Sequence, residues 1–265
     1  HADAALDRAP RDAAALETRG LVRWRQGAGA GDTAVSRALL DGAERDLRAA
    51  LVEEPGRASA WATLSQMLRF RGRFAEADLA ARRALEQDAY LAEADDILHR
   101  LYSSALAQAD HPAAWAECER GRRQFPADWR FLECGLTLMR EDTLRAADPG
   151  AAWTRVAELD RLDPPARARA EGRGYSPVYR RALVAAVLAR AGARDSARAV
   201  LARARRDAAG DADARVALLY DEAYALLLLG DRAQAQRVMR AYVDARPALR
   251  PYLMRDPLVR GLLAP

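Results

Sequence analysis

The sequence predicts an all-α chain built as a solenoid of helical hairpins, and three observations carry the prediction. Small or apolar residues recur in one register: Ala43, Leu47 and Ala50 return as Ala77, Ala81 and Ala84. Echoes follow at Ala114, Cys118, Gly121 and Pro126, at Ala152, Val156, Leu159 and Pro164, at Ala197, Leu201 and Ala204, and at Ala235, Met239, Tyr242 and Pro247. A period of about 34 residues made from two helices marks a stacked helical array. Within a period the apolar positions fall at helical spacing, as Trp61, Leu64, Ser65 and Leu68 do. Finally, a chain of 265 residues, 51% hydrophobic and 30% charged, has ample material for a core. A solenoid grows by adding units, so one continuous domain over 1–265 is expected.

The elements are justified in order. Unit 13–57 opens with a helix over Leu16 to Trp24 and closes with one over Ala43 to Glu54. The glycine-rich stretch within Arg25 to Gly42 reads as a flexible insertion between them. Unit 58–91 is the clearest: one helix carries Trp61 to Leu68, Arg71-Gly72-Arg73 turns, and a second helix carries Phe74, Ala77, Ala81 and Ala84. Glycine suits that turn because it takes the left-handed conformation without a Cβ clash. Unit 92–126 has helices around Leu91 to Gln108 and Pro112 to Gln124. Unit 127–164 follows, with Asp148-Pro149 as cap and first turn of its second helix. Pro164 to Pro177, with Gly172 and Gly174, reads as a loop or a shift in the stack. Units 177–210 and 215–247 complete the array, the latter with Gly230 at its turn and a capping box over Asp231 to Gln234. The segment 248–265 breaks the repeat and ends in the apolar piece Leu258 to Leu263, which suits an end cap.

Unit 58–91 resembles a tetratricopeptide repeat (TPR) at Trp61, Leu64, Ser65, Leu68, Phe74, Ala77 and Ala84, with Ala81 where that family usually carries a larger aromatic. The family's terminal proline is replaced by Ala89 here, while Pro55, Pro126, Pro164 and Pro247 fit it in other units. The resemblance implies about six repeats in a right-handed superhelix with a short C-terminal cap. It also implies a concave groove lined by the first helix of each repeat. Carried onto this sequence, the groove positions are Gln66, Arg69, Arg100, Ser103, Trp129, Leu132, Glu133, Tyr179, Tyr220, Asp221 and Tyr224. Arginine and tyrosine are typical of binding hot spots, although a solvated inner wall with core aromatics explains the same set. The family's carboxylate clamp uses lysine and asparagine, and this chain has neither residue. The tail and Glu119-Arg120-Gly121-Arg122-Arg123-Gln124-Phe125-Pro126 are similar to TPR regions attached to bacterial serine/threonine protein kinases and transcriptional activators. That second resemblance implies a sensor or adaptor region in signalling.

Composition excludes several chemistries. The cations are all arginine, so neither a Schiff-base lysine nor a phosphate-loop lysine exists. The net charge of +4 gives no nucleic-acid reading, because arginines alternate with Asp and Glu along most helices, as salt-bridged solvated faces do. The longest apolar runs, Ala182 to Ala189 and Ala223 to Gly230, fall short of the ~20 residues that cross a bilayer. Gly27 to Thr33 lacks the strand and the lysine that phosphate loops require. His1, His99 and His111 form no cluster, and no zinc-like pair exists, so neither metal nor cofactor is expected. Glu53-Glu54 and Asp95-Asp96 are helix neighbours that diverge, and read as surface charge. Cys118 and Cys134 flank the turn at Pro126 symmetrically, so a disulfide is geometrically open; their small-residue packing positions favour buried free thiols.

The expected function is a non-catalytic scaffold or sensor/adaptor binding a partner peptide in its groove, without nucleic acid. The alternative is a structural protein that self-assembles into an oligomer or filament through its solenoid ends. The compartment stays open, leaning toward periplasmic or secreted, and the first residue, His1 rather than methionine, suggests a processed or trimmed chain.

Overall fold

The computed structural model describes residues 1–173, 176–247, 250–254 and 256–263, in which helices are joined by turns and short connections and no strand occurs. Gly174 in the predicted break and Arg255 in the predicted cap lie outside the described residues. The chain divides into two compact units, 1–117 and 118–265. The first holds α1 (Ala2–Arg8), α2 (Ala13–Gly29), α3 (Thr33–Glu53), α4 (Ala58–Phe70), α5 (Phe74–Gln87), α6 (Ala94–Ala107) and the start of α7 (His111–Gln124). The second holds the end of α7 and α8 (Arg130–Glu141), α9 (Pro149–Leu162), α10 (Pro165–Ala170), α11 (Ser176–Arg190), α12 (Arg194–Ala208), α13 (Ala212–Leu228), α14 (Arg232–Asp244), α15 (Arg250–Leu253) and α16 (Pro257–Leu263).

Aspartate starts many of these helices. Asp12, Asp32, Asp148, Asp211 and Asp231 each accept a hydrogen bond from a first-turn amide, satisfying donors that the helix itself cannot. Four hairpins then close by one device, a hydrogen bond from the sixth residue of the turn to the first: Arg73 to Leu68, Asp110 to Ala105, Ala193 to Leu188, and Asp231 to Leu226. Gly72, Gly192 and Gly230 supply the left-handed residue in three of them, with φ of 76°, 78° and 83°. In the fourth it is Ala109, at φ 56°, which pays the Cβ penalty.

The repeating alanine is where the paired helices touch. Ala43, Ala77, Ala114, Ala152, Ala197 and Ala235 are all buried, so the register read in the sequence is the packing register. In the first unit, α3, α4 and α5 share a core of Leu40, Leu47, Leu64, Met67, Leu68 and Ala80. In the second, α11 is covered on nearly every side: Leu183 to Leu188 meet Leu136 of α8, Leu159 of α9, Leu201 of α12 and Ala225 of α13.

Two expectations need correction. The Arg25 to Gly42 segment is no flexible insertion: α2 continues to Gly29 and α3 begins at Thr33, so the two arms are joined by a three-residue turn. Gly27 permits this, because a Cβ there would come within 3.1 Å of Leu40 Cγ. Asp32 then caps α3. The break after Pro164 also contains a short helix, α10, and Pro177 belongs to the first turn of α11. Helix α1 had no signal in the period; it is held by Leu6, which joins Leu16 and Ala50.

The expected cap is present as geometry. Val259 and Leu262 of α16 are buried with Ala235, Met239 and Val243 of α14, covering the face that the last hairpin would otherwise leave open.

Candidate functional site

The second unit contains a cavity of about 750 Å³ between α8, α13, α14 and the turn after α10. Its wall is formed by Glu133 and Arg140 of α8, Gly172, Tyr179 of α11, Asp213, Val216, Ala217, Tyr220 and Asp221 of α13, and Tyr242, Ala245 and Arg246 around the end of α14. Helical spacing explains the α13 set: Asp213, Val216, Ala217 and Tyr220 recur at intervals of three and four and share one face.

Charged groups are buried around this wall. The Arg140 side chain is 5% exposed, contacts Asp221 and Glu141, and lies over the rings of Tyr220 and Tyr224 at 5.7 and 4.8 Å. Arg180 is fully buried and reaches Asp163 at 2.5 Å and Glu133 at 3.4 Å. Arg173 grips the same Asp163 with two hydrogen bonds, at 2.7 and 2.8 Å, and stacks 4.4 Å from the Trp129 ring. Arg173 thereby ties the α10 turn to the rest of the unit. These hydrogen bonds hold the Asp163 carboxyl below its usual range, Arg173 contributing most. Burial instead pushes Glu133 up, and Arg180 offsets this incompletely. Burial also raises Tyr179, Tyr220 and Tyr224, so these phenols stay protonated at neutral pH.

Tyr220 has a second attachment. Its hydroxyl donates to Asp256 at 2.9 Å, and Asp256 in turn accepts from the amides of Leu258 and Val259 at the start of α16. The ring of Tyr242 lies 5.5 Å from that of Tyr220, and Arg246 lies 4.3 Å over Tyr242 while donating to the Val216 carbonyl.

The sequence-derived groove residues separate accordingly. Glu133, Tyr179, Tyr220 and Asp221 line this cavity, and Tyr224 sits behind it against Arg140. Asp221 is 2% exposed and occupied by Arg140, so little of it is offered. Leu132 is 3% exposed and belongs to the core with Leu136 and Val156, which corrects its reading as a groove residue. Trp129 is covered by Arg173 rather than open. Gln66, Arg69, Arg100 and Ser103 lie on α4 and α6 of the first unit and do not line the cavity. Arg69 covers the Phe74 ring at 5.6 Å, and Ser103 donates to the carbonyl of His99 in its own helix. Burial and the neighbouring Arg69 both lower the pKa of Arg100 against the attraction of Asp96.

Several residues of this site carried no signal in the repeat. Arg140, Asp163, Arg173, Arg180 and Arg246 fall among the charges expected only collectively on solvated faces, and that expectation fails for them; Tyr242 is a repeat position that lines the cavity as well. Arg180 and Arg181 directly precede the apolar run Ala182 to Ala189 on the same helix, and that adjacency was the available clue. The cysteine balance is also corrected: Cys118 and Cys134 form a disulfide, with Cα atoms 6.1 Å apart, that links the middle of α7 to the first turns of α8.

Among solved structures, the chain is similar to a tetratricopeptide repeat protein from Parabacteroides merdae, with 17% identity and a TM-score of 0.54 over 86% of this chain and 82% of that one. The chain has the TPR fold. Pseudomonas aeruginosa PilF aligns at 17% identity with a TM-score of 0.48, over 88% of this chain and 94% of that one. The Cut9–Hcn1 hetero-tetramer of the APC/C aligns at 13% identity with a TM-score of 0.49, over 99% of this chain and 44% of that one. No protein-family model matches the sequence, and no curated protein matches it. The cavity is thus built from α8, α11 and α13, with the turn after α10 and the end of α14. Among the described residues, no helix is long and apolar enough to cross a membrane, and no group of three His, Cys, Asp or Glu residues comes together as a metal site.

Proposed function

We propose that this chain is a non-catalytic protein-interaction module, a scaffold or sensor/adaptor, whose second unit holds a segment of a partner protein in the cavity between α8, α11, α13 and α14. The observation that carries the reading is the lining. Tyr179, Tyr220 and Tyr242 present large, rigid, half-buried surfaces, and the charged groups behind them are fixed by ion pairs before any partner arrives. Such pre-ordered aromatic and arginine surfaces lose little entropy on binding. Tyr179 and Tyr220, held protonated, are poor bases and nucleophiles, and among the described residues the lining offers no His, Cys, Ser or Thr. Self-assembly through the C-terminal end is the less favoured reading, because α16 occupies the face of α14 on which a second copy would stack.

The experiment is a quantitative comparison of proteins retained by the immobilised chain and by Ala217→Trp, which fills the cavity from α13. Partners retained by the native chain and lost from the variant are expected. Identical retention by both proteins defeats the groove assignment.

A further inference from the structure

The cavity lining is electrically unbalanced. Its arginines are committed: Arg140 to Asp221 and Glu141, and behind the wall Arg173 and Arg180 chiefly to Asp163. Arg246 lies flat on Tyr242 with its guanidinium on the Val216 carbonyl. The carboxylates are less well served. Glu133 receives one contact from Arg180 at 3.4 Å, longer than a normal charge-assisted hydrogen bond. Its carboxyl is accordingly held above the usual range by burial. Asp213 adds an exposed carboxylate in the first turn of α13. Among these acids stand the rings of Tyr179, Tyr220 and Tyr242; Arg140 already lies over Tyr220 and Arg246 over Tyr242, so their contribution to a guest is ring edge and apolar surface.

Arg140 Nε is buried and makes no hydrogen bond, although the rest of its guanidinium is paired. That atom is closed off from the cavity, so it costs free energy in place and offers an occupant nothing.

Resting on the groove reading above, we propose that this cavity takes a cationic side chain of the partner segment, an arginine or a lysine, with its charged head at Glu133 and its stem against the tyrosine rings. A carboxylate anchor is disfavoured here: it would meet Glu133, Asp213 and Asp221, with Arg140 already neutralised and Arg246 the opposing charge on the wall. A guanidinium would give Glu133 the close donors that Arg180 does not.

The test is selection of random dodecapeptides displayed on phage against the intact chain, followed by affinity measurement on synthetic copies. Selected peptides should share a basic residue. Their affinity should fall about tenfold with Glu133→Gln, the loss of one charge-assisted contact, and fall less with the exposed Asp213→Asn, which does not touch the buried pairs. Circular dichroism of both variants establishes that they fold. If Glu133→Gln fails to fold, the decision passes to Asp213→Asn and to replacement of the basic peptide residue by norleucine, each of which must weaken binding. Peptides that are blocked by Ala217→Trp yet lack a basic residue, or bind these variants unchanged, overturn the cationic anchor and leave the groove standing. Peptides indifferent to Ala217→Trp, or none at all, overturn both.

Discussion

Replacing Asp163 by alanine should cost about 3–5 kcal/mol of stability, the penalty for stripping a buried charge of its partner. Asp163 and Arg180 are both fully buried, with Arg180 Nη2 at 2.5 Å from the carboxylate. Arg173 adds contacts at 2.7 and 2.8 Å. Each charge-assisted hydrogen bond is worth about 1.5–3 kcal/mol, but the losses do not add. Arg173, with a side chain 17% exposed, can turn to water, whereas Arg180 is left with Glu133 at 3.4 Å and Asp160 at 3.7 Å. The stranded Arg180 charge therefore sets the cost. Urea unfolding followed by far-ultraviolet circular dichroism measures it, with Asp163→Ala/Arg180→Leu as the decisive companion. Removing both charges should recover more than half of the loss, because no buried ion remains uncompensated. A single variant within about 1 kcal/mol of the native protein, or a double variant no more stable than the single, refutes the reasoning.

Four further outcomes are expected. The folded-state pKa of Asp163 is depressed, so its contribution is full above the unfolded value of about 4 and fades as pH falls through the folded value; an acid titration of the unfolding free energy should decline more gently below that pH in Asp163→Asn. Ala109→Gly should gain about 0.5–1 kcal/mol in the same unfolding assay, since glycine takes a φ of 56° without the Cβ clash. Cys118→Ala should lose about 3 kcal/mol through release of a loop of this size, and reductant should lower the melting temperature of the native chain but leave the variant unchanged. Gly121→Ala should lower the melting temperature by an overpacking cost of about 1–3 kcal/mol, because its Cβ would lie 2.1 Å from Cε1 of the buried Phe131 ring.

The hairpins were legible because their cause is local and periodic. An alanine where helices touch, an aspartate before a first turn and a glycine at the 6-to-1 turn each have a short-range reason, so the register from Ala43 to Ala235 could be read without coordinates. Ala109 shows the limit of that logic: the turn forms with the wrong residue because flanking helices impose it. Gly27 shows the opposite failure, where glycine signalled a loop but serves close packing of α2 on Leu40. The cavity was half legible. Tyr179 and Tyr220 fall at repeat positions on first helices, but Arg173 and Asp163 meet only because the α10 turn folds back, and no spacing encodes that return. Nor does composition distinguish Arg180, buried, from Arg198, whose side chain is 59% exposed; both simply add to the arginine count.

Tyr220 serves two masters, since its ring is cavity wall and its hydroxyl holds Asp256 at the threshold of α16. An occupant that turns this ring must release that hydroxyl, and the work done against the cap is subtracted from its affinity. By thermodynamic reciprocity, whatever tightens α16 on α14 resists such an occupant to the same degree. An occupant that accepts the ring as it stands meets no such resistance. For the proposed occupant, the α16 cap would act as a filter on shape at a distance from the cavity wall.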